Sequence, residues 1–185
     1  MSPESYERDR IDSIDDPDAF RYCSGEELRA LLQPGPGWSV AEFGSGTGRF
    51  TSELAPVTDT VYAVELRREM LGVYRDRGIP ANVAPVVADF CNLPFPDDSL
   101  DGGVSVRTYH HGFQAALDEV ARVVRPGGRL VIVDWSATGA GEREARDAHR
   151  YLDLATVQSQ LLDAGFSIAE ASERYETFVV VAIRQ

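Results

Sequence analysis

The 185-residue sequence contains no lysine, so all 18 of its basic residues are arginine, against 30 aspartates and glutamates. The formal net charge of -12 makes nucleic acid and anionic membranes unfavourable partners. No segment approaches the run of about 20 apolar residues that spans a bilayer, and the N-terminal residues have no signal-peptide character. The sequence therefore predicts a cytoplasmic protein without nucleic acid or membrane partners.

An acidic composition without lysine is also typical of proteins adapted to concentrated salt, because at molar salt the repulsion between charges is screened within about 3 Å. We therefore expect a halophilic protein, and the alternative explanation is an acidic patch that binds a partner.

Cysteine is scarce as well. Cys23 and Cys91 lie far apart and match no zinc-ligand spacing, so we expect two small, partly buried side chains and predict neither a metal site nor a disulfide. With this length and 43% hydrophobic residues, the chain suits one domain with a substantial core.

The central feature is an apolar strand that runs into three glycines two positions apart, Gly44, Gly46 and Gly48. Glycine permits positive φ angles and close approach of a ligand to the backbone, and a helix N-terminus after such a turn favours an electron-rich group. A dinucleotide-binding loop would need its third glycine where Arg49 stands, and a phosphate-binding Walker loop would need a lysine. The turn therefore favours another kind of small-molecule site, with Glu42 two residues ahead of it.

From Trp38 onward, strand and helix patterns alternate, which predicts a parallel sheet with helices on both faces. Two runs at the end of the chain are joined by only five residues, so they must be antiparallel neighbours. The predicted strands are 38–43, 60–65, 83–88, 101–106, 129–134, 166–171 and 177–183. The predicted helices are one that follows a capping box at Ser24–Glu27 and ends at Gln33, then 49–55, 67–77, 112–124, an exposed charged helix at 142–150, and a last one capped by Asp153 or Thr156 with Leu161 and Leu162 inward.

Ligands of such sheets bind beyond the carboxyl ends of the strands. Glu65 ends the second strand, and its carboxylate can accept two hydrogen bonds from the vicinal hydroxyls of a ribose. Asp89 ends the third strand and can accept a hydrogen bond from an exocyclic amine, while Phe90 offers its backbone N–H and its ring. The structural alternatives are a solvated or capping carboxylate for Glu65 and a turn cap for Asp89.

Three motifs carry a resemblance to a known family. Glu-x-Gly-x-Gly-x-Gly at 42–48 resembles motif I of the class I S-adenosylmethionine-dependent methyltransferases. Asp-x-x-x-Leu-Pro-Phe-x-Asp-x-Ser-Leu-Asp at 89–101 resembles their ubiquinone/menaquinone-biosynthesis-like small-molecule branch, and 116–130 resembles the family's helix-turn-strand segment with its Pro-Gly-Gly turn. The resemblance covers residues 38 to 183.

The resemblance implies an α/β fold, a Rossmann-like sandwich whose seven-stranded, mostly parallel sheet has the order 3-2-1-4-5-7-6, with strand 7 antiparallel and helices on both faces. In this layout residues 1–37 form an arm and a short helix that cover the site, and residues 38–185 form the S-adenosylmethionine-binding domain. The protein would be a monomer or a weak homodimer.

The implied function is methyl transfer from S-adenosylmethionine to a small molecule, with S-adenosylhomocysteine as the product. The resemblance assigns to the cofactor Glu42, Gly44, Ser45, Gly46, Gly48, Glu65, Leu66, Met70, Asp89, Phe90 and Arg107. The candidate catalytic residues are His110 and His111, and other polar groups near the methyl-donor end are Tyr109, Asp134, Trp135, His149 and Tyr151. No Asn-Pro-Pro-Tyr sequence follows strand four, which argues against methylation of amino groups in DNA bases or glutamine.

Two alternatives stay open. A nicotinamide dehydrogenase would explain Glu65, which lies about 20 residues beyond Gly44, but Arg49 and the antiparallel pair argue against it. A non-catalytic S-adenosylmethionine-binding or partner-binding module of the same fold is compatible with every motif, because a fold does not fix a function.

Overall fold

Seven strands form one sheet, in the order β3-β2-β1-β4-β5-β7-β6, in a computed structural model of the chain that describes residue 20 and residues 22–138 and 152–185. The strands are β1 (Ser39–Phe43), β2 (Thr60–Glu65), β3 (Val83–Val87), β4 (Leu100–Val106), β5 (Val124–Trp135), β6 (Phe166–Glu173) and β7 (Thr177–Arg184). The α-helices are α1 (Gly25–Leu32), α2 (Arg49–Leu54), α3 (Arg68–Arg77), α4 (Leu117–Val123) and α5 (Leu154–Asp163).

The pairing of the strands confirms the predicted topology. Strands β1 to β5 pair in parallel, whereas β7 is antiparallel to both of its neighbours, β5 and β6. The chain builds outward from β1 to β3 and then returns to place β4 on the other side of β1. The strand order therefore reverses between β1 and β4, which is where ligands bind in sheets of this kind.

Two hydrophobic clusters cover the two faces of the sheet because successive strand residues point to opposite sides. In β5, Leu130 and Ile132 pack with residues of α4 and α5. Val131 and Val133 pack on the other face with residues of α1, α2 and α3. Both faces are thus apolar, as the near-continuous apolar strands of a covered parallel sheet require.

Helices α1 and α5 begin at the predicted N-cap residues, where side chains accept hydrogen bonds from the first turn of each helix. Ser24 Oγ accepts a hydrogen bond from Glu27 N at 3.1 Å and caps α1, while the Glu27 carboxylate pairs with Arg174. Of the two candidates for the last cap, Asp153 is the N-cap of α5, and its Oδ1 accepts from Thr156 N at 2.9 Å.

One arginine holds the segment between β3 and β4 on α4. The Arg122 guanidinium donates to the carbonyl oxygens of Leu93 and Phe95 and pairs with the carboxylate of Asp97. It also pairs with Glu119, which accepts from Leu93 N at 2.8 Å and whose pKa is lowered by the hydrogen bond from Arg122. The motifs at 89–101 and 116–130, which are separate in the sequence, therefore form one hydrogen-bonded unit.

Strand β3 lies at one edge of the sheet, with a proline at its centre. Asn82 O and Ala88 N form hydrogen bonds with β2. The backbone N–H and C=O groups of the even-numbered residues of β3 therefore point towards β2, and those of the odd-numbered residues point towards the free edge. Pro85 stands at that free edge, where its missing N–H removes a donor without interrupting the pairing with β2.

Four sequence-based expectations need correction. Strand five begins at Val124 rather than at 129, because Val124 pairs with Leu100 and the pairing resumes at Arg129 after the Pro-Gly-Gly segment. The predicted helix 112–124 is a 3-10 helix over Phe113–Ala116 followed by α4. Leu162 is 56% exposed, since it directly follows the buried Leu161 and two consecutive helical side chains lie about 100° apart. Cys91 is exposed rather than partly buried, whereas Cys23 is buried.

The expected helix 142–150, with His149 and Tyr151, lies outside the described residues. None of the helices that are described has both the length and the apolar character needed to cross a bilayer.

Candidate functional site

The glycine loop after β1 folds towards the end of β2. The amides of Gly44 and Ser45 both donate to Val64 O, at 2.9 and 3.0 Å. Gly44 has a φ of +82°, and a Cβ added to it would overlap the side chain of Thr108, which follows β4. Glycine is therefore required here by the close approach of two adjacent strand ends.

Glu65 joins this loop to the end of β2. Its side chain is buried, Oε2 accepts from Gly46 N at 3.0 Å, and Oε1 accepts from Arg67 N at 3.0 Å. Oε1 also pairs with Arg67 Nε at 3.5 Å, which is a long contact. Oε2 therefore keeps a full acceptor position, and Oε1 keeps one that a ligand hydroxyl would share with this guanidinium. The carboxylate is thus held in place by the backbone and retains the capacity to accept two hydroxyl donors of a ligand.

Two further polar groups are buried in or under the loop. Glu42 accepts a hydrogen bond from Thr51 Oγ1 of α2, and burial raises the pKa of Glu42 to about 8. Ser45 Oγ is also buried and has no hydrogen-bond partner within the part of the chain that the structure describes. Because buried polar atoms are normally paired, this hydroxyl fits a site that is completed by a ligand.

The ends of β2 and β3 lie side by side, since Ala88 N donates to Glu65 O at 3.2 Å. Leu66 and Asp89 are exposed there, and Asp89 Oδ1 accepts from Cys91 N at 2.9 Å. Asp89 therefore makes the turn-capping contact that was its structural alternative. Met70 is buried in the core. The ring of Phe90 packs edge-on against Phe113, so the polar groups that Phe90 can offer to a ligand are those of its backbone.

A cavity of about 400 Å³ lies behind the loop, between α2 and α3. Its lining includes Gly48, Arg49, Ser52, Tyr74 and Arg77. Neither Glu65 nor Asp89 is among the residues that line it.

Arg107 follows β4 in a left-handed conformation, with a φ of +56°, which non-glycine residues rarely adopt. Its amide donates to Val133 O at 2.7 Å. Its guanidinium lies 5.4 Å from the ring centre of Trp135 and 5.9 Å from that of Tyr22, and these two rings are 4.6 Å apart. A cation and two aromatic rings packed edge to face thus form one contiguous group.

His110 and Asp134 form a buried pair at the ends of β4 and β5. His110 Nδ1 lies 2.6 Å from Asp134 Oδ1, and the same carboxylate accepts from the amides of Trp135 at 2.7 Å and of His110 at 3.2 Å. His111, by contrast, is exposed, with its ring centre 3.9 Å from that of His110. Asp134 was a candidate by sequence, but its pairing with His110 was missed; the predicted adjacency of strands four and five was the signal that could have found it.

The site therefore has two sides. We call the loop side the segment 44–48 with Glu65 and the exposed ends of β2 and β3, and the dyad side Arg107, His110, Asp134 and Trp135. The contact between Thr108 and Gly44 joins them, and Thr108 had no signal in the sequence. No group of three or more His, Cys, Asp or Glu side chains among the described residues is arranged to hold a metal ion.

A family model described as a methyltransferase domain matches residues 41–132, about half of the chain. The demethylmenaquinone methyltransferase of Corynebacterium kroppenstedtii is 38% identical over 110 residues, which cover 58% of this chain and 46% of that protein. The ubiquinone/menaquinone biosynthesis C-methyltransferase UbiE of Ectopseudomonas mendocina is 32% identical over 169 residues, which cover 71% of this chain and 66% of that protein.

The same fold occurs in the crystal structure of an S-adenosylmethionine-dependent methyltransferase from Aquifex aeolicus. It superposes with a TM-score of 0.83 at 24% sequence identity, covering 96% of this chain and 98% of that one. The present chain spans about half the length of the Corynebacterium relative and about two thirds of the Ectopseudomonas relative.

Proposed function

Since this chain belongs to the class I S-adenosylmethionine-dependent methyltransferases, we propose that it transfers a methyl group from S-adenosylmethionine to a small-molecule acceptor and releases S-adenosylhomocysteine. The observation that carries this proposal is the Glu65 carboxylate, which is fixed by Gly46 N and Arg67 N and retains two acceptor positions for a ribose diol. The loop side would hold the cofactor, and the dyad side would face the acceptor.

The polar groups of the loop side fit the cofactor. Glu65 would bind the ribose hydroxyls, and Ser45 Oγ would bind the methionine part, since the amides of Gly44, Ser45 and Gly46 already donate within the protein. Glu42 would support the loop from below through Thr51. The buried Ser45 hydroxyl supports this assignment, because a ligand would supply the partner that the described residues do not.

The remaining cofactor residues would lie around the base and the methyl-donor end. Leu66 and Asp89 would flank the adenine from the neighbouring ends of β2 and β3, with Phe90 donating its N–H and Met70 packing beneath. Arg107 would contact the methionine part through its backbone.

The methyl group of the bound cofactor is already activated by its sulfonium, so the protein mainly has to hold the acceptor in line and exclude water. Of the two candidate catalytic histidines, His110 is the one whose ring is fixed by a buried partner. The buried ring of Trp135 and that of Tyr22 supply apolar surface beside it.

The finer features follow from composition and from the first described residues. We propose a cytoplasmic, halophilic protein that binds neither nucleic acid nor membrane and is a monomer or weak homodimer, which the net charge of -12 supports. Residues 1–37 would cover the site, and residues 38–185 would form the cofactor-binding domain. Arg174 supports this arrangement, since it donates to Tyr22 O at 3.0 Å and pairs with Glu27 of α1.

Calorimetric titration of the purified chain in molar salt tests the cofactor assignment, with S-adenosylmethionine, S-adenosylhomocysteine and NADH as ligands. We expect micromolar binding of the first two, weakened about 10- to 100-fold in Glu65→Gln, since a hydrogen bond to a charged group contributes about 1.5–3 kcal/mol. Glu170→Gln, an exposed change on the edge strand β6, is the matched control and should bind like the wild type.

Binding of NADH alone would contradict the proposal. Binding of no ligand would favour the partner-binding module, and binding without transfer to any acceptor would favour the non-catalytic cofactor-binding module.

A further inference from the structure

We propose that Arg122, together with Glu119, positions the turn that recognises the adenine of the cofactor and thereby sets the selectivity for that base. Both side chains belong to helix α4 and act through the turn, so they are positioning residues and not catalytic ones. This inference rests on the proposed function, because it takes the assignment of Asp89 to the adenine as given. It adds a determinant of base selectivity that the cofactor motifs do not contain.

The turn at 89–92 has little support of its own. Its internal hydrogen bonds run from Cys91 N to Asp89 Oδ1 at 2.9 Å and from Asn92 N to Asp89 O at 3.0 Å. Three of its four residues are exposed, and the fourth, Phe90, packs its ring on the core. The direction in which the Asp89 carboxylate points therefore depends on how the chain is held before and after the turn.

Hydrogen bonds hold the chain at both ends of this turn. Before it, Ala88 N donates to Glu65 O at 3.2 Å, which ties the chain to the end of β2. After it, Leu93 N donates to Glu119 Oε1 at 2.8 Å, and Leu93 O accepts from Arg122 Nη2 at 3.2 Å. The first anchor belongs to the sheet, whereas the second consists of two side chains of α4. Loss of these side chains would release one end of the turn.

The guanidinium of Arg122 uses all five of its N–H donors in the second anchor. Nε and Nη2 donate to the two carboxylate oxygens of Glu119, at 2.8 and 2.7 Å. Nη1 donates to Phe95 O at 2.9 Å and to Asp97 Oδ1 at 2.7 Å, and the second Nη2 bond goes to Leu93 O. Lysine has only three donors on one nitrogen, so it would keep the charge and lose part of this network.

The pair of Glu119 and Arg122 is suited to hold the anchor in one geometry. The two residues lie three positions apart on one helix, and two parallel hydrogen bonds fix the plane of the guanidinium against the carboxylate. Their side chains are only 19% and 33% exposed, so salt screens the pair less than a fully exposed one. Hydrogen bonding to Arg122 lowers the pKa of Glu119, and the carboxylate is therefore ionised and paired at neutral pH.

The carboxylate of Asp89 has the chemistry to select adenine. An ionised carboxylate can only accept hydrogen bonds, so it favours the exocyclic amine of adenine and repels the carbonyl oxygen that hypoxanthine carries at the same position. Such a contact weakens steeply when donor and acceptor are misaligned. A displaced turn would therefore lose the preference for the amine while the contacts to the ribose and the methionine part persist.

Calorimetry in molar salt with two ligands that differ only at this position tests the inference: S-adenosylhomocysteine and S-inosylhomocysteine. The wild-type chain should bind the first about 10- to 100-fold more tightly, the effect of one hydrogen bond to a charged group. In Arg122→Gln this ratio should fall at least about fivefold, because the affinity for S-adenosylhomocysteine drops and that for S-inosylhomocysteine changes little. A general loss of stability would lower both affinities together and leave their ratio unchanged.

Three further variants separate the network from the charge. Arg122→Lys should give a ratio between those of the wild type and Arg122→Gln. Glu119→Gln keeps an acceptor for Leu93 N but loses the ionic pair, so the ratio should fall in the same direction and by less, even if Arg122→Gln does not fold. Arg125→Gln is the matched control, because Arg125 is similarly exposed and pairs with Asp101 at 2.8 Å at the start of β4. This control should keep the wild-type ratio.

The outcome also separates this inference from the proposed function. A wild type that binds S-adenosylhomocysteine, with an unchanged ratio in Arg122→Gln and Glu119→Gln, overturns the inference and leaves the cofactor assignment intact. Equal binding of the two ligands by the wild type overturns it too, since the turn would then select no base. An equal fall in Arg125→Gln would reduce the effect to the loss of any arginine and would contradict the positioning role. A wild type that binds neither ligand fails at the earlier step, and the inference fails with it.

Discussion

The loop side and the dyad side of the site are built by different means. Except for Asp89, the polar groups of the loop side come from a short stretch, residues 42–67, in which backbone amides and the Glu65 carboxylate meet across adjacent strands. On the dyad side, His110 pairs with a carboxylate 24 residues away, and Trp135 packs edge-on against Tyr22, which precedes α1. The first arrangement follows from local spacing, whereas the second depends on which strand ends the fold brings together.

The largest effect is expected where the two sides touch. Gly44→Ala places a Cβ in the Thr108 side chain at a φ of +82°, so it adds backbone strain of about 1–2 kcal/mol and overpacking of about 1–3 kcal/mol. Urea denaturation should show both losses, and cofactor binding should disappear. Gly37→Ala, with a φ of +77° and nothing within 4 Å of the added Cβ, should show the strain alone. Equal losses in the two variants would mean that the contact with Thr108 is unimportant.

The dependence of stability on pH tests the buried carboxyl group of Glu42, which lies beneath the loop side. Glu42 has a pKa of about 8 in the folded chain, against an ordinary value of 4.5. Between these values the folded state keeps a proton that the unfolded state has released, so the free energy of unfolding should fall as pH rises from about 5 to 8.

Glu42→Gln should flatten that fall, by an amount on the order of a few kcal/mol, as measured by urea denaturation at each pH. The exposed change Glu170→Gln should leave the profile unchanged. Parallel profiles for the wild type and Glu42→Gln would contradict the assignment of the buried proton.

Tyr22 tests whether the dyad side can be altered without affecting the loop side. Tyr22→Ala removes a ring pair worth about 0.5–1.5 kcal/mol, so the KM for the methyl acceptor should rise about 3- to 10-fold. The affinity for S-adenosylhomocysteine, measured by calorimetry, should not change, because Tyr22 contacts the dyad side. A matching loss of cofactor affinity would show that the two sides are not separate.

The smallest effect concerns a contact beneath the dyad side. Tyr109 donates to Gln160 Oε1 of α5 at 2.7 Å, and Tyr109→Phe removes this bond at a cost of about 1 kcal/mol. Thermal unfolding should register the loss while kcat changes little. A large loss of kcat would place the hydroxyl closer to the chemistry than its burial indicates.

The sequence predicted the fold well because its periodicity and its turns are local signals. The antiparallel end and the bounds of β2 follow from them, whereas the strand order was implied by the resemblance to the methyltransferase family. Strand five was placed late, since a Pro-Gly-Gly segment normally separates elements, whereas here Val124 pairs before it. Leu162 was placed inward because hydrophobicity alone does not tell which of two adjacent residues faces the core.

The loop side of the site was predictable because glycine and acid spacing report backbone geometry directly. The dyad side was only partly predictable. His110 and Asp134 were both candidates, but residue type does not tell that they pair, nor that His111 is exposed. The Arg122 contacts show how the segment after Asp89 and the helix α4 depend on each other, since the side chains of the helix bond to the backbone and to Asp97 of that segment.

The proline at the free edge of β3 has a consequence for the behaviour of the protein in molar salt. Molar salt screens the mutual repulsion of acidic molecules to within about 3 Å, so charge no longer keeps neighbouring copies from joining their sheets edge to edge. A missing N–H is unaffected by ions. Pro85 therefore offers a safeguard against strand-to-strand aggregation that persists when the electrostatic one is lost.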